Sequence, residues 1–234
     1  MSKLICLTLG SIRRMQPGAN LLGALVYSMN VDARRYAPAA ARNRAPILSV
    51  LRRHLPRSGL VLEIASGTGE HALYFGGASN PDLIFQPSDP DPVARDSIDA
   101  WISETGCQSV RPAIALDARS DDWPIKSADA ILCINMIHIA PWHAAVGLMR
   151  GAGRLLTPQG FLFLYGPFRR DGRHTAPSNA AFDESLRQQN SEWGVRDLEV
   201  VQELAEHNGL GPPEIVEMPA NNLSLIFRRR RSAG

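Results

Sequence analysis

VLEIASGTGEHA, running from Val61 to Ala72, is the stretch that decides how this chain of 234 residues is read. Val61, Leu62 and Ile64 make a short apolar run suited to a buried strand. Gly67 and Gly69 follow and let the backbone bend and come close to a ligand, and Glu70 opens a helix behind them. A strand, a glycine turn and a helix in that order form a nucleotide-site signature. Glu63, the acid near the strand's end, then discriminates between ligands.

A pyrophosphate cofactor needs positive potential at such a turn, supplied by helix N-terminal amides, and a carboxylate there is unwelcome. S-adenosyl-L-methionine reverses the demand, because it carries a cationic sulfonium and an α-amino group and has no phosphate. The glycines alone leave the question open: Gly67, Gly69 and Ala72 also match the GxGxxA of dinucleotide folds, and a strand-turn-helix can be purely structural. Glu63 favours the methyl donor. Glu63, Ala65, Gly67 and Gly69 resemble motif I of class I methyltransferases, with alanine where the first glycine usually stands. A methyl group is tolerated there provided the backbone needs no positive φ.

Length allows one well-packed α/β domain over residues 31–234. The first 30 residues are set apart, having no acid and an apolar run, Leu4 to Leu9, too short for a membrane span. They read as an extension or as the product of a misassigned start, with Met29 the alternative first residue and organelle targeting left open. A formal net charge of +2 gives no broad basic surface. Of the 25 basic residues only Lys3 and Lys126 are lysines, which removes the P-loop and the Tyr-x-x-x-Lys pair of short-chain dehydrogenases. Cys6, Cys107 and Cys133 form no CxxC and fit a reducing, cytoplasmic setting. GxSxG is missing, and the scattered histidines and turn-like acidic pairs point to no metal.

From Leu60 onward apolar runs alternate with helical stretches, the rhythm of a parallel sheet covered on both faces. Strands are expected at about 60–65, 83–87, 112–116, 129–134 and 160–165, with helices over Asp91–Glu104, Trp142–Leu156 and Arg196–Asn208. Glu214–Met218 and Leu223–Phe227, joined through Pro219 to Asn222, read as a hairpin. The expected fold is therefore α/β: a doubly wound, Rossmann-like class I methyltransferase fold with a seven-stranded sheet and an antiparallel last strand.

Ligands of such sheets lie beyond the carboxyl ends of the strands, and four of these ends are polar. Asp89, 20 residues after Gly69, stands where a carboxylate can take both ribose hydroxyls, although Asp89-Pro-Asp91-Pro is also a turn and helix cap. Asp117 ends the third strand as an adenine partner. Asn135 and His138 emerge from the fourth, where donor and acceptor meet; His138 is either a general base or a packed histidine. Two segments rich in polar and aromatic residues, Arg34–Ile47 and Tyr165–Phe182, flank the pocket and supply Tyr36 as a catalytic candidate and Asn43, Arg44, Phe168 and Arg169 as wall residues, joined by Asn221 and Asn222.

RYAPA, RNR, QPSDPDP, DDWP, NMIHIAPW, GPFRRDGRHTAPSN, WGVRDLE and MPANNLSLIFRR occur in that order between Asp32 and Arg229. Together they resemble the methyltransferase-like 26 family, long catalogued as a domain of unknown function. The resemblance implies the class I fold and S-adenosyl-L-methionine binding, with Glu63, Ala65, Gly67, Gly69, Asp89, Asp117 and Asn135 on the cofactor; it names no acceptor. The expectation is methyl transfer by in-line displacement, to a small molecule in preference to a protein or RNA, and with no membrane partner. A noncatalytic cofactor- or partner-binding protein and an NAD-linked oxidoreductase are the competing readings.

Overall fold

A computed structural model describes residues 32–230. The expectation for the first 30 residues lies outside the described residues.

The chain enters through helix α1 (Pro38–Leu51), begun by a proline whose missing N–H costs nothing in the first turn. Strand β1 (Gly59–Ile64) then leads through the glycine turn into α2 (Glu70–Gly77), followed by β2 (Leu83–Ser88) and α3 (Pro92–Thr105). Next come β3 (Ala128–Ile134), α4 (Trp142–Leu155) and β4 (Leu156–Gly166). After the short strands β5 (Phe168–Arg170) and β6 (Arg173–His174) come α5 (Pro177–Gln189), β7 (Arg196–Asp197) and α6 (Leu198–His207). The hairpin of β8 (Glu214–Met218) and β9 (Asn222–Arg228) ends the described chain.

The main sheet runs β2-β1-β3-β4-β9-β8, with β9 antiparallel to both its neighbours, as the hairpin implied. It has six strands rather than the expected seven, and the missing one is the segment near 112–116. That segment follows the edge of β2 through two isolated bridges, Phe85 to Val110 and Ser88 to Ile114. Its register slips by one residue between them, beside Pro87, which has no N–H to donate to the ladder and accepts from the Ile114 amide. The Ala113 amide turns instead to the Asp99 carboxylate, at 2.8 Å, and the Gln86 side chain reaches the Pro112 carbonyl at 2.8 Å.

Alternation along the strands builds two cores. Leu62, Ile131, Cys133, Leu162, Leu164 and Phe227 face α4 and α6, while Val61, Ala130, Leu132, Phe161, Phe163 and Ile226 face α1 and α2. Glu63 shares the face of Val61 and so is carried under α1 and α2, only 2% exposed. The α1 and α5 helices were not foreseen, although Ala-Pro-Ala-Ala and Ala-Pro-Ser-Asn carry the proline that commonly opens a helix. A second sheet, β6-β5-β7, was likewise unforeseen, since strands this short have no period to read.

Candidate functional site

The turn after β1 is held in an uncommon conformation. Ala65 takes φ +55°, Gly67 φ +56° and Gly69 φ +89°. The backbone does need a positive φ at position 65, so the alanine there is strained and not merely tolerated. The two glycines have different reasons to be glycine. A Cβ at Gly69 would lie 2.9 Å from Ile98 Cγ1 and 3.0 Å from Ile98 Cα, so this glycine lets α3 close on α2. A Cβ at Gly67 would meet nothing within 4 Å: that face of the turn is open.

Two carboxylates flank the turn. Asp89, at the end of β2 and 7% exposed, accepts the Gly67 amide at 3.0 Å on Oδ2 and the Asp91 amide at 3.0 Å on Oδ1. Burial raises its pKa and these amides work against the rise. Asp91 serves as the cap of α3, accepting from the Val93 amide. Glu63 leaves Oε2 without a hydrogen-bond partner among the described residues. Burial pushes its pKa up to about 8, with Asp89 adding a smaller rise. A free Glu63 is therefore mostly protonated at neutral pH, and an arriving cation would favour loss of that proton.

Glu70, read from the sequence only as the opening of a helix, also ties the turn to the chain's entry: its Oε2 accepts the Ala37 amide at 2.6 Å and the Thr68 hydroxyl at 3.0 Å. Ser97 does the same from α3, donating to the Thr68 carbonyl at 2.9 Å and accepting the Arg35 amide at 2.8 Å. Asp117 stands beyond the edge segment with both oxygens on Arg119, which lowers its pKa.

On the other side of Asn135 a cavity of about 830 Å³ opens beyond the ends of β3 and β4. Asn135, itself at φ +62°, sits where β3 ends; its amide donates to the Tyr165 carbonyl at 2.8 Å, and both residues line the cavity. Asn43 from α1 and Asn221 and Asn222 from the final hairpin line it too, together with Asn179 and Phe182 of α5. Asn43 Oδ1 is 2.7 Å from His71 Nε2. Burial raises the pKa of Tyr165, and Asn43 beside it works against the rise. Burial, with Arg44 nearby, pushes the His71 pKa down to about 4, so the imidazole is neutral. Tyr165 was expected as the end of a strand and the first residue of a pocket-flanking segment, with no role of its own; that a ligand sits beyond strand ends was the signal that could have singled it out.

Several expected wall residues are elsewhere. Tyr36 is 64% exposed and meets the Trp101 ring edge-on at 5.0 Å, so the structure does not bring it to the cavity as a catalytic group. Arg44 lies over Tyr74, 4.7 Å from the ring centroid. Phe168 is fully buried against His138, and Arg169 pairs with Asp197 at 2.7 Å. Phe168 and Arg169 are so placed because they lie in β5 of the short β6-β5-β7 sheet, which turns this stretch away from the opening. His138 is also fully buried: its Nδ1 accepts the Arg196 amide at 3.4 Å, and a Cβ on Gly166 would lie 2.4 Å from its Nε2. Burial pushes its pKa down to about 3, so it packs as a neutral ring and takes no proton near neutral pH.

A family model described as a protein of unknown function, DUF938, matches residues 34–229. The chain belongs to the DUF938 family. This DUF938 chain shares its fold with an O-methyltransferase family protein from Burkholderia thailandensis, at TM-score 0.70 and 18% identity over 83% of this chain and 58% of that one. It resembles the mitomycin 7-O-methyltransferase MmcR at TM-score 0.69 and 15% identity, covering 82% of this chain and 54% of the other. An O-methyltransferase family 2 protein from Planctomyces limnophilus DSM 3776, in complex with apigenin, gives 0.66 and 18% over 82% and 60%. The DUF938 chain thus spans a little over half the length of these proteins. Identity this low carries the fold alone, and that fold is the class I S-adenosylmethionine-dependent methyltransferase fold. No described helix is long and apolar enough to cross a membrane.

Proposed function

We propose that this chain is an S-adenosyl-L-methionine-dependent methyltransferase acting on a small molecule held in the cavity beyond β3 and β4. The observation that carries this reading is Glu63: a carboxyl 2% exposed, with Oε2 unpartnered, beside the open face of Gly67. A buried acid with an unpartnered oxygen is costly, and a cationic ligand removes that cost where a pyrophosphate would add to it. Of the strings that resemble methyltransferase-like 26 proteins, QPSDPDP carries Asp89, and RNR, NMIHIAPW and MPANNLSLIFRR contribute cavity-lining residues, which supports the same reading.

The residues fit the cofactor. Glu63 faces its amino end, Gly67 lets the backbone approach, Asp89 keeps acceptor lone pairs for ribose hydroxyls, and Asp117 stands on the adenine side. S-adenosyl-L-methionine supplies a methyl carbon made electrophilic by its sulfonium. Asn135 stands at the border of the two halves and positions the acceptor's nucleophilic atom from the cavity side. Among the residues lining the cavity none is a carboxylate or an imidazole, so these side chains contribute by binding, orienting and excluding water. Orientation of this kind can account for about 7 to 11 kcal/mol of a barrier.

Calorimetry with S-adenosylhomocysteine and NADH tests the cofactor: binding of the first and not the second is expected, and the reverse would overturn the reading. Incubation with isotope-labelled methyl donor and fractionated cell extract tests the reaction. Label is expected in the metabolite fraction; label in protein or RNA would move the acceptor to that class, and tight donor binding with no labelled fraction would make the chain a noncatalytic binder.

A further inference from the structure

The cofactor half leaves the cavity's own chemistry unassigned. Arg42, exposed on α1, is the one charged side chain in the lining. Other arginines nearby are committed, Arg44 to the Tyr74 ring and Arg169 to Asp197, whereas no carboxylate of the described residues pairs with Arg42. The walls beside it are apolar. Ile139 and Phe182 line the opening at 44% and 38% exposure, with Pro46, Pro167 and Pro219 around them. Large apolar side chains left uncovered at the rim of a concave site mark a surface that an apolar body covers.

The buried end of the cavity adds a directed hydrogen bond. His71 Nε2 donates to Asn43 Oδ1, which leaves the amide nitrogen of Asn43, rather than its oxygen, to face the Tyr165 hydroxyl beside it. With a donor on that side, the Tyr165 hydroxyl can turn its own proton to an oxygen of whatever enters. One unpaired guanidinium, an apolar rim and a hydroxyl donor describe a single kind of occupant. A cationic molecule would meet Arg42 unfavourably, and a purely hydrocarbon one would leave Tyr165 and Arg42 without a partner.

We propose that the cavity selects a small carboxylic acid with an apolar body, its carboxylate held by Arg42, its body against Ile139 and Phe182, and an oxygen accepting from Tyr165. This rests on the methyl-transfer reading only in making that acid the acceptor. The volume of about 830 Å³ is within the range of roughly 300 to 1,000 Å³ common to small-molecule sites.

The test compares 2-naphthoate with the neutral 2-naphthamide by calorimetry on the whole chain. The acid should bind about fivefold tighter than the amide, the effect expected of one partly exposed ion pair. Arg42→Gln should bring the two probes level, and Arg53→Gln, outside the lining, should keep the preference. Equal affinity in the unaltered protein, failure of both probes to bind up to their solubility limits, or a preference that survives Arg42→Gln would each overturn the inference. S-adenosylhomocysteine is titrated on the same preparation. Its binding without a naphthoate preference overturns this inference alone; a naphthoate preference without its binding leaves the inference standing and overturns the methyl-transfer reading.

Discussion

The two halves of the opening above the sheet are built on opposite plans. On the β1 and β2 side, backbone and side chains are locked together: Asp89 takes two amides, Glu70 and Ser97 pin the turn to the chain's entry, and three residues hold positive φ. On the β3 and β4 side, a cavity of about 830 Å³ is walled by amides and apolar side chains from α1, α5 and the hairpin. The first plan suits a ligand that is always the same, and the second a ligand whose shape a family can vary. Rigidity is placed where charge must be met at a fixed point, since an imprecisely held carboxylate loses most of its advantage.

The largest effect should come from testing the claim that the turn's two glycines differ. Gly69→Ala places a methyl against Ile98 and strains a left-handed residue; it should destabilise the fold by about 2 to 4 kcal/mol in urea unfolding. Gly67→Ala, with open space around it, should cost only about 1 kcal/mol of stability and show its main effect as weakened S-adenosylhomocysteine binding. Equal stability losses would erase the division between a packing glycine and a ligand-facing one.

The same contrast explains what could be read in the residues. The locked half comes mostly from contiguous chain, Val61 to Glu70, with Asp89 a fixed step further on, so its spacing is visible. The cavity gathers single residues from 39–46, 135–139, 165–167, 178–182 and 219–222, and no spacing within any one of these announces the others. Asn43, Asn221 and Asn222 reach the cavity because α1 and the hairpin fold over it. Phe168 and Arg169 come from an equally polar and aromatic stretch, and the short second sheet turns them away. Composition marked both stretches and could not supply the direction of a side chain. For the fold, apolar runs set between helical stretches revealed four strands of the main sheet and the hairpin, but the slip of register beside Pro87 breaks a ladder in a way visible only once the segments lie side by side.

A pH series on Glu63 sharpens the comparison from the electrostatic side. An exposed glutamate titrates near 4.5, and in the fold burial raises Glu63 to about 8. The folded state therefore holds a proton that the unfolded chain has released. The stability this contributes is complete below about 4.5 and is lost as pH rises through about 8. Glu63→Gln cannot ionise, so relative to the unaltered protein it should gain on the order of 4 kcal/mol between pH 5 and pH 9. Binding should move the other way. S-adenosylhomocysteine brings an ammonium group, so its affinity for the unaltered protein should rise from pH 6 to pH 8 with release of a proton, and Glu63→Gln should flatten that rise. Parallel stability profiles for the two proteins would show that Glu63 is not held as the neutral acid.

The smallest effect concerns Ala65, where strain and function can be separated. At φ +55° an alanine pays roughly 1 to 2 kcal/mol that a glycine does not, while glycine loses part of that gain through the greater freedom of its unfolded chain. Ala65→Gly should therefore leave stability unchanged or raise it by up to about 1 kcal/mol, read as a small upward shift in melting temperature. Cofactor affinity decides what the strain is for. If the alanine methyl merely occupies a place that a glycine could fill, S-adenosylhomocysteine binds Ala65→Gly as it binds the unaltered protein. A several-fold loss of affinity alongside higher stability would mean that the methyl group itself helps hold the turn against the ligand, and the locked half would then owe part of its rigidity to a residue in an unfavourable conformation.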